Sequence, residues 1–276
     1  MAGLVLTYHS ANIAGSAYSD NDHVALKTDL ELIRALSIPV LSLEVAFQKT
    51  YLDGFAEPFV VLTCDDGLLM DVQDIDHPEH GYTPGFSSIL AEHARLYACQ
   101  IAMTSFVIAS PEARAHLDVH GYRSLGLCGD DWWSGDHGLV IESHSWDHNH
   151  PVVPQSVQRD NVRGTFLKIE TEHECVLEVE QASDYIETRT GRRPKFFAYP
   201  WGEASAYLRR EYLPRRGQGI GLLGAVSGEA DYWTRSSDPW FIPRMVCGAH
   251  WRSREALAKL LLELICYSAA RARPVG

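Results

Sequence analysis

Short apolar, β-branched runs separated by amphipathic or polar stretches set the rhythm of this chain. Residues 4–8, 38–43, 59–64, 101–108, 139–142, 195–199, 222–226 and 241–246 each read as a buried strand. Between the first two, Leu26, Leu30, Ile33 and Leu36 fall on one face of a helical period behind Asp22, a residue type that caps helix N-termini. A second helix is predicted over 172–188, where Cys175, Val179, Ala182 and Ile186 form a stripe and Gly191 supplies a stop signal. A third opens at Ser253 and runs to 270 with Leu257, Leu260, Leu261, Leu264 and Ile265. Strands alternating with helices imply a mostly parallel sheet, and seven or eight of them in 276 residues favour an α/β barrel over two small domains. No Pro/Ser-rich linker or repeat divides the chain, so one domain over 1–276 is expected.

Two stretches break the alternation. Residues 71–85 (DVQDIDHPEHGYTPG) are polar and turn-rich, and 114–136 are long, Gly-rich and contain Trp132 and Trp133. Both should leave the C-terminal ends of strands, the face where barrel enzymes build their sites, either as walls of a cleft or as solvated loops.

Composition narrows the partners more than the fold. With 46% hydrophobic and 22% charged residues the chain is ordinary for a globular protein. At this length it buries roughly three quarters of its unfolded surface and needs neither disulfide nor structural metal to fold, so any metal is expected to be functional. The net charge of -12 argues against nucleic acid or an anionic membrane as main partner and suits a neutral or cationic substrate. Cys64, Cys99, Cys128, Cys175, Cys247 and Cys266 show no CxxC or CxxxC spacing and mostly sit in apolar runs, as reduced structural thiols do. The opening MAGLVLTYHS lacks a basic n-region, and no stretch of about 18 apolar residues occurs, so a cytoplasmic protein without membrane insertion is expected. None of these features addresses oligomeric state.

The chemistry concentrates where two strands end. Residues 59–64 run into Asp65 and Asp66, with Gly67 able to turn the chain so that both carboxylates face one cleft; Asp-Gly is also a common surface-turn signal. Residues 138–143 run into His144 and His148, whose i, i+4 spacing would put both imidazoles on one face of a helical turn. Two His and one carboxylate leave coordination positions open, the catalytic rather than the closed structural arrangement. His150 falls on a different side.

These residues, in this order, resemble the polysaccharide deacetylase family, also called the NodB-homology or carbohydrate esterase family 4 fold. Thr63-Cys64-Asp65-Asp66-Gly67 is similar to the family's T-F-D-D-G, and His144-Ser145-Trp146-Asp147-His148 to its H-S/T-x-x-H. Residues 195–202, KFFAYPWG, resemble its F-x-x-P-Y-G turn, preceded by Thr190-Gly-Arg-Arg-Pro194. The resemblance implies a distorted (β/α)7-8 barrel of NodB-homology type and a metal-dependent hydrolase that removes an acyl group, in most members acetyl, from an N-acylated sugar. It implies that Asp66, His144 and His148 bind one divalent metal, commonly Zn2+ with Co2+ or Ni2+ able to replace it, and that Asp65 acts as general base. Trp201 would supply a backbone N–H to the oxyanion, with Tyr199, Pro200 and Trp201 forming a substrate-binding turn.

The chain also departs from the family pattern. The arginine that opens the third motif is replaced by Ala198, for which Arg244 is the candidate substitute through pairing with Asp65 or Asp238. The C-terminal L-x-H is absent, Gly248-Ala-His250 being a poor match. A subgroup that deacetylates poly-N-acetylglucosamine shares these features and carries an N-terminal L-x-Y-H, similar to Leu6-Thr-Tyr-His9, which makes His9 the candidate catalytic acid, with capping of the first strand as its alternative. Tyr82, Trp132, Trp133, Trp201, Trp233 and Trp240 lie in predicted loops, as sugar platforms or as core. A hydrolase of small linear or cyclic amides, or a degenerate carbohydrate-binding protein, would use the same fold.

Overall fold

Strands β1 (Gly3–Tyr8) and β2 (Phe59–Cys64) pair in parallel along their whole length, Gly3 opposite Phe59 and Tyr8 opposite Cys64. Every residue of both is buried, as parallel strands covered on two faces must be. The structure, a computed structural model, describes residues 2–53, 57–122, 133, 138–154 and 162–272. Helices α1 (Asp22–Ala35) and α2 (Leu43–Gln48) connect β1 to β2. Helix α3 (Leu69–Val72), the antiparallel hairpin β3 (Ile75–His77) and β4 (Gly81–Thr83), and α4 (Phe86–Tyr97) lead to β5 (Met103–Val107). Then follow α5 (Pro111–His120), β6 (Leu139–Ser143), α6 (Glu172–Cys175), α7 (Ala182–Thr190) and β7 (Phe196–Ala198). Helix α8 (Leu213–Arg216), β8 (Gly224–Val226), β9 (Met245–Val246) and α9 (Arg254–Ala272) complete the chain.

One parallel sheet of order β8-β7-β6-β5-β2-β1-β9 runs through the molecule and curls on itself. Alternate residues of β1 face opposite sides. Leu4 and Leu6 pack outward with Leu26, Leu30 and Ile33 of α1 and Leu257, Leu261 and Leu264 of α9, whereas Val5 points inward among Val61, Phe106, Phe196 and Val226. The stripe Cys175, Val179, Ala182 and Ile186 is buried, and Gly191, at φ +72°, ends α7 in the left-handed region. The expected α/β barrel architecture is therefore present in distorted form.

Three local expectations are corrected. Residues 38–43 are not a strand: Pro39 has no N–H to donate, and Val40 makes a single bridge to Val60 before Ser42 caps α2. Residues 241–246 are split in the same way at Pro243. Ile242 bridges Val226 of β8, and only Met245 and Val246 pair, with Leu6 and Thr7 of β1. This short segment thus spans the gap between the two ends of the curled sheet. Asn21, not Asp22, caps α1, its side chain accepting from His23 and Val24 N–H, while the Asp22 carboxylate accepts the N–H of His9.

The aromatics and cysteines of the predicted loops and strands divide between core and surface. Trp233 is fully buried in the interior cluster of the sheet, its Nε1 donating to Tyr51 Oη at 3.1 Å; Trp133 and Trp240 are buried too, and Trp132 and Cys128 lie outside the described residues. Cys64, Cys175 and Cys247 are buried free thiols, whereas Cys99 and Cys266 are exposed. No helix among the described residues is long and apolar enough to cross a membrane.

Candidate active site

Both motif-bearing strands end at the same mouth of the sheet, where their chains leave extended geometry at once. After β2, Asp66 and Gly67 take φ of +77° and +70°, so the turn begins on the aspartate itself, with Gly67 continuing it. After β6, Ser145, His148 and Asn149 have φ of +72°, +62° and +44°. The two histidines therefore do not share the face of a helical turn, as their spacing suggests; a run of left-handed residues brings the imidazoles to 4.8 Å between ring centres. Such backbone is sustained only where its surroundings fix it. The His148 N–H donates to Ser145 Oγ at 2.9 Å, and the Asn149 N–H to Asp147 Oδ1 at 2.8 Å. Buried Glu178 accepts from the N–H of Trp146 and Asp147, and Arg163 forks onto Asp147.

Asp66 Oδ1 lies 3.7 Å from His144 Nε2 and 3.9 Å from His148 Nε2, and one ligand atom from each of the three residues falls within 4.8 Å of the others. A cation with bonds of about 2.0–2.2 Å can bridge atoms so spaced. The donor set is prepared for one. His144 Nδ1 faces the carbonyl oxygen of Ala198 at 2.9 Å, an atom that only accepts, so Nδ1 carries a proton and Nε2 is the ring nitrogen presented to Asp66. Burial, with the neighbouring His144 and His150, pushes the His148 pKa well below the ordinary imidazole range, keeping it neutral. The residues fit a divalent metal.

Asp65 stands beside this cluster, its Oδ2 3.9 Å from His144 Nε2, but both its oxygens are engaged by Arg244. The guanidinium makes two parallel bonds, Nη1 to Oδ1 and Nη2 to Oδ2, both 2.8 Å, while Nε donates to the carbonyl of Ser227 at 2.9 Å. Asp238 pairs instead with Arg209. Burial alone would raise the Asp65 pKa, but the charge of Arg244, then His144, and the Arg244 hydrogen bonds hold it well below the usual carboxylate range.

A cavity of about 420 Å³ opens over these groups, walled by His9, Tyr122, His150, Trp201, Gly202 and Gly228. Trp201 is 46% exposed and sits at φ +62°, its ring edge-on to His148 and stacked on His150, which therefore lines the cavity as well. His9 extends from β1 into the same space; its Nδ1 is buried without a hydrogen-bond partner among the described residues. His250 lines the rim, its Nδ1 accepting from the N–H of Val246.

The structure does not bring all the expected residues here. Tyr199 is fully buried in the core, its hydroxyl donating to the Trp240 carbonyl at 2.6 Å, and Pro200 is buried outside the cavity lining, so only Trp201 of that turn can meet a substrate with its side chain. Residues 71–85, read either as a cleft wall or as a solvated loop, line no part of this cavity. Buried Asp71 accepts from Ser10 and Ser105 instead, and Tyr82 sits exposed on the β3–β4 hairpin. Of 114–136, Arg114 to His120 belong to α5, Leu117 and Tyr122 line the cavity, and 123–132 and 134–137 are outside the described residues. Sequence reasoning missed Tyr122, Asp71, Arg163 and Glu178. None stands in a spacing that marks a ligand, and only their hydrogen bonds to the motif turns or to a residue beside them reveal them.

The sequence model of the polysaccharide deacetylase family matches residues 53–213, more than half of the 276-residue chain. The chain belongs to the polysaccharide deacetylase family. That family comprises metal-dependent carbohydrate N-deacetylases, which hydrolyse an amide bond, and its matched span includes all three motif segments but neither His9 nor Arg244. Solved structures that share the fold include three deacetylases. One is the Streptococcus pyogenes deacetylase PplD in complex with acetate, with a TM-score of 0.62, 13% identity, and 96% of this chain and 98% of that one covered. IcaB from Ammonifex degensii has a TM-score of 0.62 and 14% identity over 95% and 97% of the two chains. A de-N-acetylase from Aggregatibacter actinomycetemcomitans has 0.56 and 13% over 94% and 99%. No protein of curated function matches the chain in sequence.

Proposed function

We propose that this polysaccharide deacetylase family member is an N-deacetylase of N-acetylated sugars, with one divalent ion, Zn2+ in the first instance and Co2+ or Ni2+ as substitutes, held by Asp66, His144 and His148. The observation that carries this reading is the separation of roles between adjacent carboxylates. Asp66 turns one oxygen to both imidazoles, while Asp65, 3.9 Å from His144 alone, has both its oxygens held by the Arg244 fork. A divalent cation there would acidify water and polarise an amide carbonyl.

The chain's own groups supply the rest. Asp65, kept ionised by Arg244, accepts a proton from water; the same pairing lowers its basicity, so Arg244 fixes geometry and charge state at some cost in proton affinity. Trp201 offers a backbone N–H to the developing oxyanion, an interaction worth roughly 3–4 kcal/mol where such donors are preorganised. His9, across the cavity, gives a proton to the departing amine, which as an anion would be a very poor leaving group. An exposed Trp201 ring beside His150 offers a flat apolar face for a sugar. The net charge of -12 suits partly deacetylated, cationic glycans.

The test is metal analysis coupled to acetate release from chitin oligomers, poly-N-acetylglucosamine oligomers and small amides. His148→Ala should lose most of the ion yet remain folded, and Asp65→Asn should keep the ion while turnover falls by roughly 10² to 10⁴. Stoichiometric metal in His148→Ala, or near-normal turnover in Asp65→Asn, would refute the assignment. Release of acyl groups from small amides alone would transfer the activity to that class.

A further inference from the structure

Asp66 has two carboxylate oxygens, and the structure treats them differently. Oδ1 faces His144 and His148, whereas Oδ2 accepts a hydrogen bond from the Tyr122 hydroxyl at 3.0 Å. We infer that Tyr122 is a positioning residue of the ion site: its phenol holds Asp66 as a one-oxygen ligand and so keeps coordination positions open for water and substrate. The inference rests on the ion-binding reading of Asp66, His144 and His148.

Tyr122 reaches Asp66 because α5 is tied to both ligand-bearing turns. At its start, Ser110 caps the helix while its own N–H donates to the carbonyl of Trp146, and the Ala109 N–H donates to that of Ser145. At its end, the Tyr122 N–H donates to the Leu117 carbonyl, which folds the chain back and sets the phenol against Asp66. Midway, Arg114 Nη1 lies 3.4 Å from the carbonyls of Asp66 and Ile108. Both ligand turns therefore hang on one rigid ten-residue helix, and a hydroxyl at its far end selects the rotamer of the carboxylate.

A carboxylate free to swing can offer a small cation both oxygens, filling a position that catalysis needs open. A phenol on one oxygen opposes that swing and leaves Oδ1 aimed at the two imidazoles. Partners of this kind, one step removed from the ion, typically change metal affinity 10- to 100-fold when removed. Tyr122 also lines the cavity, so a plain wall role is the alternative that the test must separate.

The experiment titrates metal-free wild type, Tyr122→Phe, Tyr122→Leu and His148→Ala with Zn2+ against a competing chelator, and records visible spectra of the Co2+-loaded proteins. Tyr122→Phe removes only the hydroxyl and should bind Zn2+ roughly 10- to 100-fold more weakly. Its Co2+ absorption should also weaken and shift as the coordination number rises. If wild type binds no ion, the site reading itself fails, and the role of Tyr122 with it. If wild type binds but Tyr122→Phe matches it in affinity and spectrum while only Tyr122→Leu differs, Tyr122 is a wall and the inference is overturned.

Discussion

Replacing Arg244 by methionine should destabilise the metal-free protein by about 3–5 kcal/mol, and replacing Asp65 by asparagine in the same molecule should return most of that loss. The size follows from burial. The Arg244 side chain is 2% exposed and that of Asp65 6%, with both fork bonds at 2.8 Å. Removal of either partner leaves a full, largely buried charge without its counter-ion, whereas removal of both leaves only packing to repair. Arg244 also donates through Nε to Ser227, and that loss occurs in both the single and the double variant, so it cancels in the coupling term. Arg244→Lys should fall between, because a point charge retains attraction without the two-pronged geometry. Urea unfolding of wild type, the two single variants and the double variant, all without metal so that no cation substitutes for the guanidinium, measures the coupling. Additivity within about 0.5 kcal/mol would show that the fork contributes nothing specific and would remove the physical basis for treating Arg244 as the replacement of the missing third-motif arginine.

Three further perturbations probe the surroundings. Glu178→Ala should leave the buried N–H groups of Trp146 and Asp147 without their acceptor, costing about 1–3 kcal/mol for each and weakening Zn2+ binding by loosening the His144–His148 turn; unchanged thermal stability and affinity would refute the anchoring role. Asp29, buried among the hydroxyls of Tyr8 and Tyr18 and the indole of Trp251, is pushed up to about 7 by burial, against its hydrogen bonds. Its folded pKa is raised, so its contribution to stability is fully present below about pH 4 and is lost as pH rises through about 7; the stability difference between wild type and Asp29→Asn should change by up to about 4 kcal/mol across that window, and a flat difference would contradict the shift. Gly202→Ala should be poorly tolerated, since its Cβ would lie 2.5 Å from Gly228 Cα at a φ of +69°; a melting temperature equal to wild type would show that the two turns are not in fixed contact.

Much of the fold was legible because buried parallel strands are continuous apolar runs, and six of the eight predicted strands appear within a few residues of their predicted ends. The two that failed as continuous strands both contain a proline, at Pro39 and Pro243, whose missing N–H is a local fact that a hydropathy pattern overlooks. At the site, Asp66, His144 and His148 stand out through spacing, and the structure draws them together by left-handed backbone rather than by the helical turn that the spacing suggests. Tyr199 shows the reverse failure: it sits inside a recognisable motif yet faces the core, because in β7 and the residue after it the side chains alternate between the two faces of the sheet. Tyr122 and Glu178 are invisible to motif reasoning since they act through hydrogen bonds to residues distant in sequence, a relation that exists only after the chain has folded.

The segment from Ile242 to Val246 does two jobs at once, bridging β8 to β1 and delivering Arg244 to Asp65, a residue 179 positions earlier in the chain. The guanidinium that holds Asp65 therefore comes from a part of the chain far removed in sequence from the strand that bears the carboxylate. While the chain is being synthesised, the carboxylates and histidines emerge before the guanidinium that orients Asp65. On the proposed reading, a lesion that frees the rim near Pro243 should switch off hydrolysis while leaving the Asp66, His144 and His148 cluster and most of the sheet in place.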